Sequence, residues 1–316
     1  MRALITGVTG FAGSHLADLL NTIEGMTVFG LKRRRSDTSN LQSPCITIDC
    51  EITDALSVEN AIREANPDLI FHLAGQSYVP LSWTAPSFTF EANLMGSINL
   101  FEAVRKIKPD IPIQVAGSSE EYGLVAENEC LITEEQPLRP LSPYGVSKAA
   151  MDLLAQQYVR SYGMKIIITR AFNHTGPRRG EVFATSSFAK QVAMIKLGQA
   201  PPVIFVGNLE ARRDFTDVRD MVEAYYQAIR FCKPGTPYNI CSGTAHPLKA
   251  VLEILIGIAH IHPTIEQSPD RMRPSDVPLL LGSYRKFHEA TDWTPTIPFE
   301  QTMKDLFNYW MERLKK

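Results

Sequence analysis

Tyr144 and Lys148 stand four positions apart in the stretch SPYGVSK, behind a Ser-Pro turn. On a helix that spacing puts two side chains on one face. An ammonium beside a phenol stabilises the phenolate, so the pair predicts a tyrosine drawn from about 10 toward neutrality, where it gives or takes a proton efficiently. Y-x-x-x-K is common by itself, and its plain alternative is an exposed lysine beside a half-buried tyrosine. The company of AGSSEEYG (116–123) favours chemistry, because that stretch closes a run that reads as a parallel strand. Open α/β sheets place ligands at the carboxyl ends of such strands. Ser118 is the candidate to hydrogen-bond a substrate oxygen together with Tyr144. Asn93, in EANLMG, is a candidate for holding a water or a backbone group, with helix capping as its alternative.

A second constellation opens the chain. Gly7, Gly10 and Gly13 in GVTGFAG lie between an apolar run, Ala3-Leu4-Ile5, and a segment with Leu16, Leu19 and Leu20 at helical spacing. Glycines at a strand-to-helix joint let the backbone approach a pyrophosphate, while the helix start offers free N–H groups and a positive dipole end. An acidic residue closing the next strand would accept from a ribose 2′-hydroxyl. TVFGLKRRR closes instead with Lys32, Arg33, Arg34 and Arg35. Guanidinium groups suit a 2′-phosphate, which favours NADP(H) over NAD(H). Lys32 and Arg35 also read as a solvated basic edge.

These groups need a scaffold, and the pattern supplies one. Strands are expected at 27–35, in CITIDCEITD, DLIFHLAG, IPIQVAGSS and KIIITRAFN. Helices are expected in ALSVENAIREANP, in NLMGSINLFEAVRKI and after Ser142. Such alternation predicts βαβ units around a parallel sheet. From Phe172 onward, Pro177, Pro201, Pro202, Pro263, Pro274 and Pro278 interrupt shorter elements, which suggests a smaller second domain. The expected division is 1–171 for the dinucleotide half, rejoined by about 217–241, with 172–216 and 242–316 forming the other half.

The balance of the chain excludes several classes. With 316 residues, 44% of them hydrophobic and a formal charge of −2, it reads as an ordinary globular enzyme-sized protein, neither a nucleic-acid binder nor a membrane-surface binder. Gly7 breaks the N-terminal apolar run too early for a signal segment or a membrane span. Five cysteines without a CxxC spacing argue against disulfides and zinc, and a cytoplasmic location is expected. His260 and His262 have no third ligand near them, so no metal is expected. Trp293 and Trp310 read as core.

The set TGVTGFAG, HLAGQS, GSSEEYG, YGVSK and FNHTGP resembles the extended branch of the short-chain dehydrogenase/reductases over nearly the whole chain. Within that branch, FNHTGPRRG, VGNLEARRDFTDVRD and RMRPSDVPLLLGS resemble the enzymes that make GDP-deoxyhexoses, both the GDP-mannose 4,6-dehydratases and the GDP-4-keto-6-deoxy-D-mannose reductases. The resemblance implies an α/β fold, a Rossmann-type doubly wound parallel sheet with a smaller α/β C-terminal substrate domain. It implies NADP(H), a GDP-linked sugar and a homodimer or larger homo-oligomer.

The resemblance also distributes roles. Gly7, Gly10, Phe11, Ala12 and Gly13 would line the pyrophosphate, and Arg33 with Arg34 the 2′-phosphate. Glu51 and Ile52 stand where the family has Asp-Leu beside the adenine, one methylene longer. Leu73, Ala74, Gly75 and Ser77 would pass along the ribose and nicotinamide, Lys148 would grip the ribose, and His174 would lie close to the cofactor. Arg213 and Arg273 match arginines used on the diphosphate, with Ser119, Asn173, Lys190, Asn208 and Asp276 as further substrate ligands. A pairing of Arg213 with Asp214 or Asp217, and a surface position for Lys190, are the plain alternatives.

Two reactions fit the resemblance. In the first, NADPH reduces the C4 ketone of GDP-4-keto-6-deoxy-D-mannose to GDP-6-deoxy-D-mannose (GDP-D-rhamnose), with Tyr144 as proton donor. In the second, a 4,6-dehydratase, Tyr144 takes the 4-hydroxyl proton and Glu120 strips the C5 proton. Dehydratases usually carry Thr where Ser118 stands and an apolar residue where Glu121 stands, so the reductase is favoured. A non-catalytic NADP sensor on the same fold is the alternative from another class.

Overall fold

The computed structural model describes residues 1–126, 129, 131–271 and 277–315. The first half runs β1 (Arg2–Thr6), α1 (Phe11–Asn21), β2 (Thr27–Lys32), β3 (Ile46–Asp49), α2 (Ala55–Ala65), β4 (Leu69–His72), α3 (Val79–Thr84), α4 (Pro86–Phe90), α5 (Gly96–Ile107), β5 (Ile113–Ser118), α6 (Pro143–Tyr162) and β6 (Ile166–Ala171). The second half adds β7 (Asn173–Thr175), α7 (Ala184–Lys196), β8 (Val203–Val206), β9 (Arg212–Asp217), α8 (Val218–Phe231) and β10 (Pro237–Ile240). It closes with β11 (Ala245–Pro247), α9 (Leu248–Ala259), β12 (Thr264–Gln267), β13 (Leu279–Leu280), α10 (Arg285–Thr291) and α11 (Phe299–Arg313).

Apolar runs such as LIFH and IIITRA, buried at every position, form the middle of a seven-stranded parallel sheet in the order β10-β6-β5-β4-β1-β2-β3. Helices cover both faces, α2, α5 and α6 on one and α1 and α8 on the other. Consecutive numbering reverses beside β1, whose neighbours are β2 and β4; this is the switch point at which doubly wound sheets open a crevice. β10 returns the chain to the sheet next to β6 after the excursion through β7, β8 and β9. A four-stranded sheet of β7, β9, β11 and β13 and the pair β8–β12 make up the rest. There, α7, α9 and α11 enclose a core including Phe188, Leu252, Leu306 and Trp310.

Two local expectations change. The strand expected over 27–35 stops at Lys32, because its last partner on β3 is Asp49 and the backbone turns at Arg33, whose carbonyl accepts from Ser36 N at 2.9 Å. The helix expected from Asn93 begins earlier, at Pro86, and passes through a wide π-turn at Glu91–Met95 before α5. Wide turns of this kind occur where a side chain must be re-aimed. Here the residue inside the turn is Asn93, 1% exposed.

Candidate active site

Ser142 caps α6 by accepting from Gly145 N at 3.0 Å, and Pro143 supplies a first helical residue that needs no partner for its nitrogen. Tyr144 and Lys148 follow on the first turns and face β5. Gly145 lets the helix come this close, since a Cβ there would lie 2.6 Å from the Glu120 carbonyl oxygen. Ser118 ends β5 and caps a short turn over Ser119–Glu121, its Oγ accepting from Glu120 N at 3.2 Å. The helix start and the strand end are thus packed backbone to backbone, with Ser118 and Tyr144 between them.

All of this opens into a cavity of about 640 Å³ along the carboxyl ends of β1, β2, β4, β5 and β6. Its lining includes Gly7, Gly10, Phe11, Ala12 and Gly13 with Arg33, Glu51 and Ile52. Leu73, Ala74, Gly75 and Ser77 from the loop after β4 line it too, as do Ser118, Ser119, Glu120, Tyr144, Lys148, Asn173 and His174. A Cβ on Gly13 would stand 2.3 Å from the Gly7 carbonyl oxygen, so the loop wraps a space that side chains cannot enter. A backbone cradle at a helix start, with an arginine beyond the second strand, fits a dinucleotide with an extra phosphate.

The charges around Tyr144 differ from the sequence expectation. Burial pushes its phenol up to about 12, Glu120 and Glu121 push the same way, and Ser118 and Arg179 oppose them. The Lys148 ammonium is turned onto the Ala116 carbonyl at 2.8 Å, and burial brings it down to about 8 against the pull of Glu121. A phenol is an acid at neutral pH without any shift, and removal from water moves this one further from ionising.

A run of buried hydrogen bonds fixes the loop that follows β4 along the cavity. Thr6 Oγ1 accepts from the Leu73 and Ala74 amides at 3.1 and 3.0 Å, so its proton goes to His72 Nδ1 at 2.8 Å. His72 Nε2 then donates to Ser97 Oγ at 3.0 Å, which passes its own proton to the Asn93 carbonyl at 2.6 Å. The Asn93 side chain accepts from Gln76 N at 2.7 Å and donates to Gln76 O and Ser147 Oγ. His174 donates from Nδ1 to the Phe172 carbonyl at 3.1 Å and stacks on Phe11, and burial lowers it to about 4.

Arg34, Lys190, Asn208 and Arg213 do not line this cavity. Arg34 is exposed and does not line it, and Lys32, which does, is paired with Asp49 at 2.5 Å. Lys190 is paired with Glu181 and sits 5.4 Å from the Trp310 ring centre. Arg213 is buried in β9 and donates from Nη1 to the carbonyls of Val277 at 2.6 Å and Arg212 at 2.9 Å, and Asn208 Oδ1 accepts from Glu210 N at 3.0 Å. Arg273 and Asp276 lie outside the described residues.

Arg179 and Tyr225 are among the cavity residues that escaped the sequence reading. Arg179 lies 3.5 Å from the Phe183 ring centre and 4.9 Å from that of Phe11, and burial lowers it to about 10. Its neighbour Arg178 takes a left-handed backbone, φ 69°, and turns the other way onto Asp18 and Gln42. The doubled arginine of PRRG was the visible signal; which of the two faces the cavity depends on that one dihedral. Tyr225, only 1% exposed on α8, also reaches the cavity, and its core-like helical spacing gave no hint of it.

The family model described as GDP-mannose 4,6 dehydratase matches residues 4–306. The GDP-6-deoxy-D-mannose reductase of Pseudomonas aeruginosa is 32% identical over 315 residues, covering 100% of this chain and 99% of that one. GDP-mannose 4,6 dehydratase 2 of Arabidopsis thaliana is 32% identical over 333 residues, covering 99% of this chain and 88% of that one. Among solved structures, RMD from Pseudomonas aeruginosa complexed with NADPH superposes with a TM-score of 0.86 at 30% identity, over 99% of this chain and 100% of the other. The Thermus thermophilus UDP-glucose 4-epimerase complex with NAD gives 0.87 at 30% identity, over 98% and 99%.

Proposed function

The chain belongs to the GDP-mannose 4,6-dehydratase family, and we propose that it works there as a reductase, converting the C4 ketone of GDP-4-keto-6-deoxy-D-mannose to GDP-6-deoxy-D-mannose with NADPH. The observation that carries this reading is the placing of Tyr144 and Ser118 in the lining of the same cavity as the glycine loop and Arg33. NADPH, when bound, supplies the hydride that reaches C4. Tyr144 gives its proton to the ketone oxygen as that oxygen gains negative charge, and Ser118 steadies the same oxygen through its hydroxyl. The phenolate left behind is favoured by the Ser118 hydrogen bond and by Arg179. Gly7, Gly10, Phe11, Ala12 and Gly13 would hold the pyrophosphate, Arg33 the 2′-phosphate, and Lys148 the ribose.

Agreement in length supports the same reading. The reductase relative is matched over 99% of its chain, whereas the dehydratases of Arabidopsis thaliana and Vibrio cholerae need alignments of 333 and 357 positions. The dehydratase remains the second reading on one specific observation: Glu120, the proposed C5 base, lines the cavity next to Tyr144.

For the sugar half we assign Ser119 and Asn173 to the hexose and Arg213 with Arg273, Asn208 and Asp276 to the nucleotide diphosphate. Lys190 would join them only by leaving Glu181. Residues 1–171 with 217–241 form the cofactor half in this reading, and 172–216 with 242–316 the sugar half. We also assign a cytoplasmic location and a homodimer formed through the exposed Trp83, Phe88 and Leu153 of α3, α4 and α6. No helix among the described residues is long and apolar enough to cross a membrane.

The deciding experiment offers GDP-mannose and GDP-4-keto-6-deoxymannose separately and follows NADPH absorbance. Stoichiometric oxidation with the keto sugar alone is expected. Loss of water from GDP-mannose without net NADPH consumption would make the dehydratase the right reading, and sedimentation in the same buffer tests the dimer.

A further inference from the structure

Gly176, Pro177, Arg178 and Arg179 make a tight turn after β7, closed by Arg179 N on the Gly176 carbonyl at 3.2 Å. Proline cannot take a positive φ. With Arg178 at φ 69°, the turn is therefore of the type whose third position ordinarily holds glycine or asparagine. The other described non-glycine residues with positive φ, Asn66, His260 and Asp292, each close a helix, where a left-handed residue is routine. Arg178 closes none. A long side chain in a glycine position needs contacts that hold it there.

Those contacts come from α1 and from the stretch between β2 and β3. Arg178 is 9% exposed; its Nη2 donates to Asp18 of α1 and to Gln42 Oε1 at 3.0 Å, and its Nη1 to the Asn40 carbonyl at 3.3 Å. Asp18 is itself held by Ser43 Oγ at 2.7 Å. One turn earlier on α1, His15 donates from Nε2 to the Pro177 carbonyl at 2.9 Å. His15 and Asp18 share a helix face, and from it they grip two successive residues of the turn.

Arg179 leaves the turn on the other side. Its carbonyl accepts from Ser186 Oγ of α7 at 2.7 Å, and its guanidinium lies over the rings of Phe183 and Phe11 in the cavity lining. That guanidinium makes no hydrogen bond or ion pair with a described residue, so its donors face the cavity.

We propose that Arg178 is a positioning residue: clasped by Asp18, Asn40 and Gln42, it holds its own backbone left-handed and so turns the Arg179 guanidinium into the cavity. A negative φ at residue 178 rotates the peptide that follows it, and Arg179 with it. The inference rests on the reductase reading only for what Arg179 does in turnover.

A double-mutant cycle between the two arginines tests this without turnover. R179A sets the scale: it should weaken NADPH, read by its fluorescence, or GDP, read by calorimetry, by about tenfold or more. R178A should weaken the same ligand by about threefold or more, and in the R179A background it should weaken it no further. R178G should bind nearer to wild type than R178A, because glycine takes the left-handed conformation without a clasp. An arginine that only stabilised the fold would lower the melting temperature in both backgrounds and would gain nothing from glycine. Additive losses, an R178G no better than R178A, or an R179A that binds both ligands as wild type does would each overturn the proposal.

Should R178A fail to fold, D18A loosens the clasp from its partly exposed end on α1. It should weaken the same ligand and again do nothing in the R179A background, and an additive loss overturns the proposal here too. A chain that reduces no keto sugar but shows the non-additive cycle loses the reductase reading and keeps this inference; a working reductase with additive losses does the opposite.

Discussion

Three substitutions test the cavity side chain by side chain. Burial moves the Tyr144 phenol further from ionising, and in the proposed reaction it gives its proton away and is remade before the next turnover. Tyr144→Phe should lower turnover by about 10²-fold to 10⁴-fold while the dissociation constant for NADPH, read by fluorescence, stays unchanged. Retained turnover would remove the proposed donor and bring back the sensor reading. Arg33 borders the cavity and Arg34 does not. Arg33→Ala should therefore weaken NADPH tenfold or more and leave NADH almost untouched, because only the 2′-phosphate is lost as a partner. Arg34→Ala should do neither, and steady-state KM values for the two cofactors separate these outcomes.

The elements act by holding backbones at fixed separations. The first turn of α6 lies against Glu120 so closely that a methyl group on Gly145 meets the carbonyl oxygen at 2.6 Å. Gly145→Ala should push Tyr144 away from Ser118 and lower kcat at least tenfold, with NADPH binding retained, since the glycine cradle lies on α1. Equal loss of binding and turnover would mean that the whole sheet edge had moved. Ser142→Ala removes the cap of the same helix and should cost about 1 kcal/mol, seen as a drop of a few degrees in melting temperature. The wide turn at Asn93 works in the same way. It aims one amide at the backbone of Gln76, through which the β4 loop keeps its course along the cavity.

Across the whole molecule, burial of neutral histidines sets the response to acid. His72, His15 and His174 are lowered from 6.5 to about 3, 4 and 4, in each case chiefly by burial. The unfolded chain takes up protons at these positions below about pH 6.5, and the folded chain does not. Their contribution to stability is therefore complete above pH 6.5 and is lost as pH falls toward 4 and then 3. Melting temperature measured by calorimetry should fall steadily between pH 6.5 and 4. His72→Gln should melt lower at pH 7 but with a shallower slope, and an unchanged slope would take His72 out of this account.

The sequence by itself determined the alternation of strands and helices in the first half and the glycine loop at its first joint, and it offered Ser118, Tyr144 and Lys148 as candidates, because each depends on local spacing and on backbone freedom within a few residues. Trp293 and Trp310, read as core, are each 6% exposed. Only the tertiary structure decided how those groups are charged. Spacing on one helix brings Lys148 near Tyr144, but it cannot report the carbonyl of Ala116 that receives the ammonium or the depth at which the phenol is buried. The same holds for Arg179 and Tyr225, brought into the cavity from segments far along the chain. Proton affinity depends on everything within several ångströms from every element, and that neighbourhood exists only after the chain has folded.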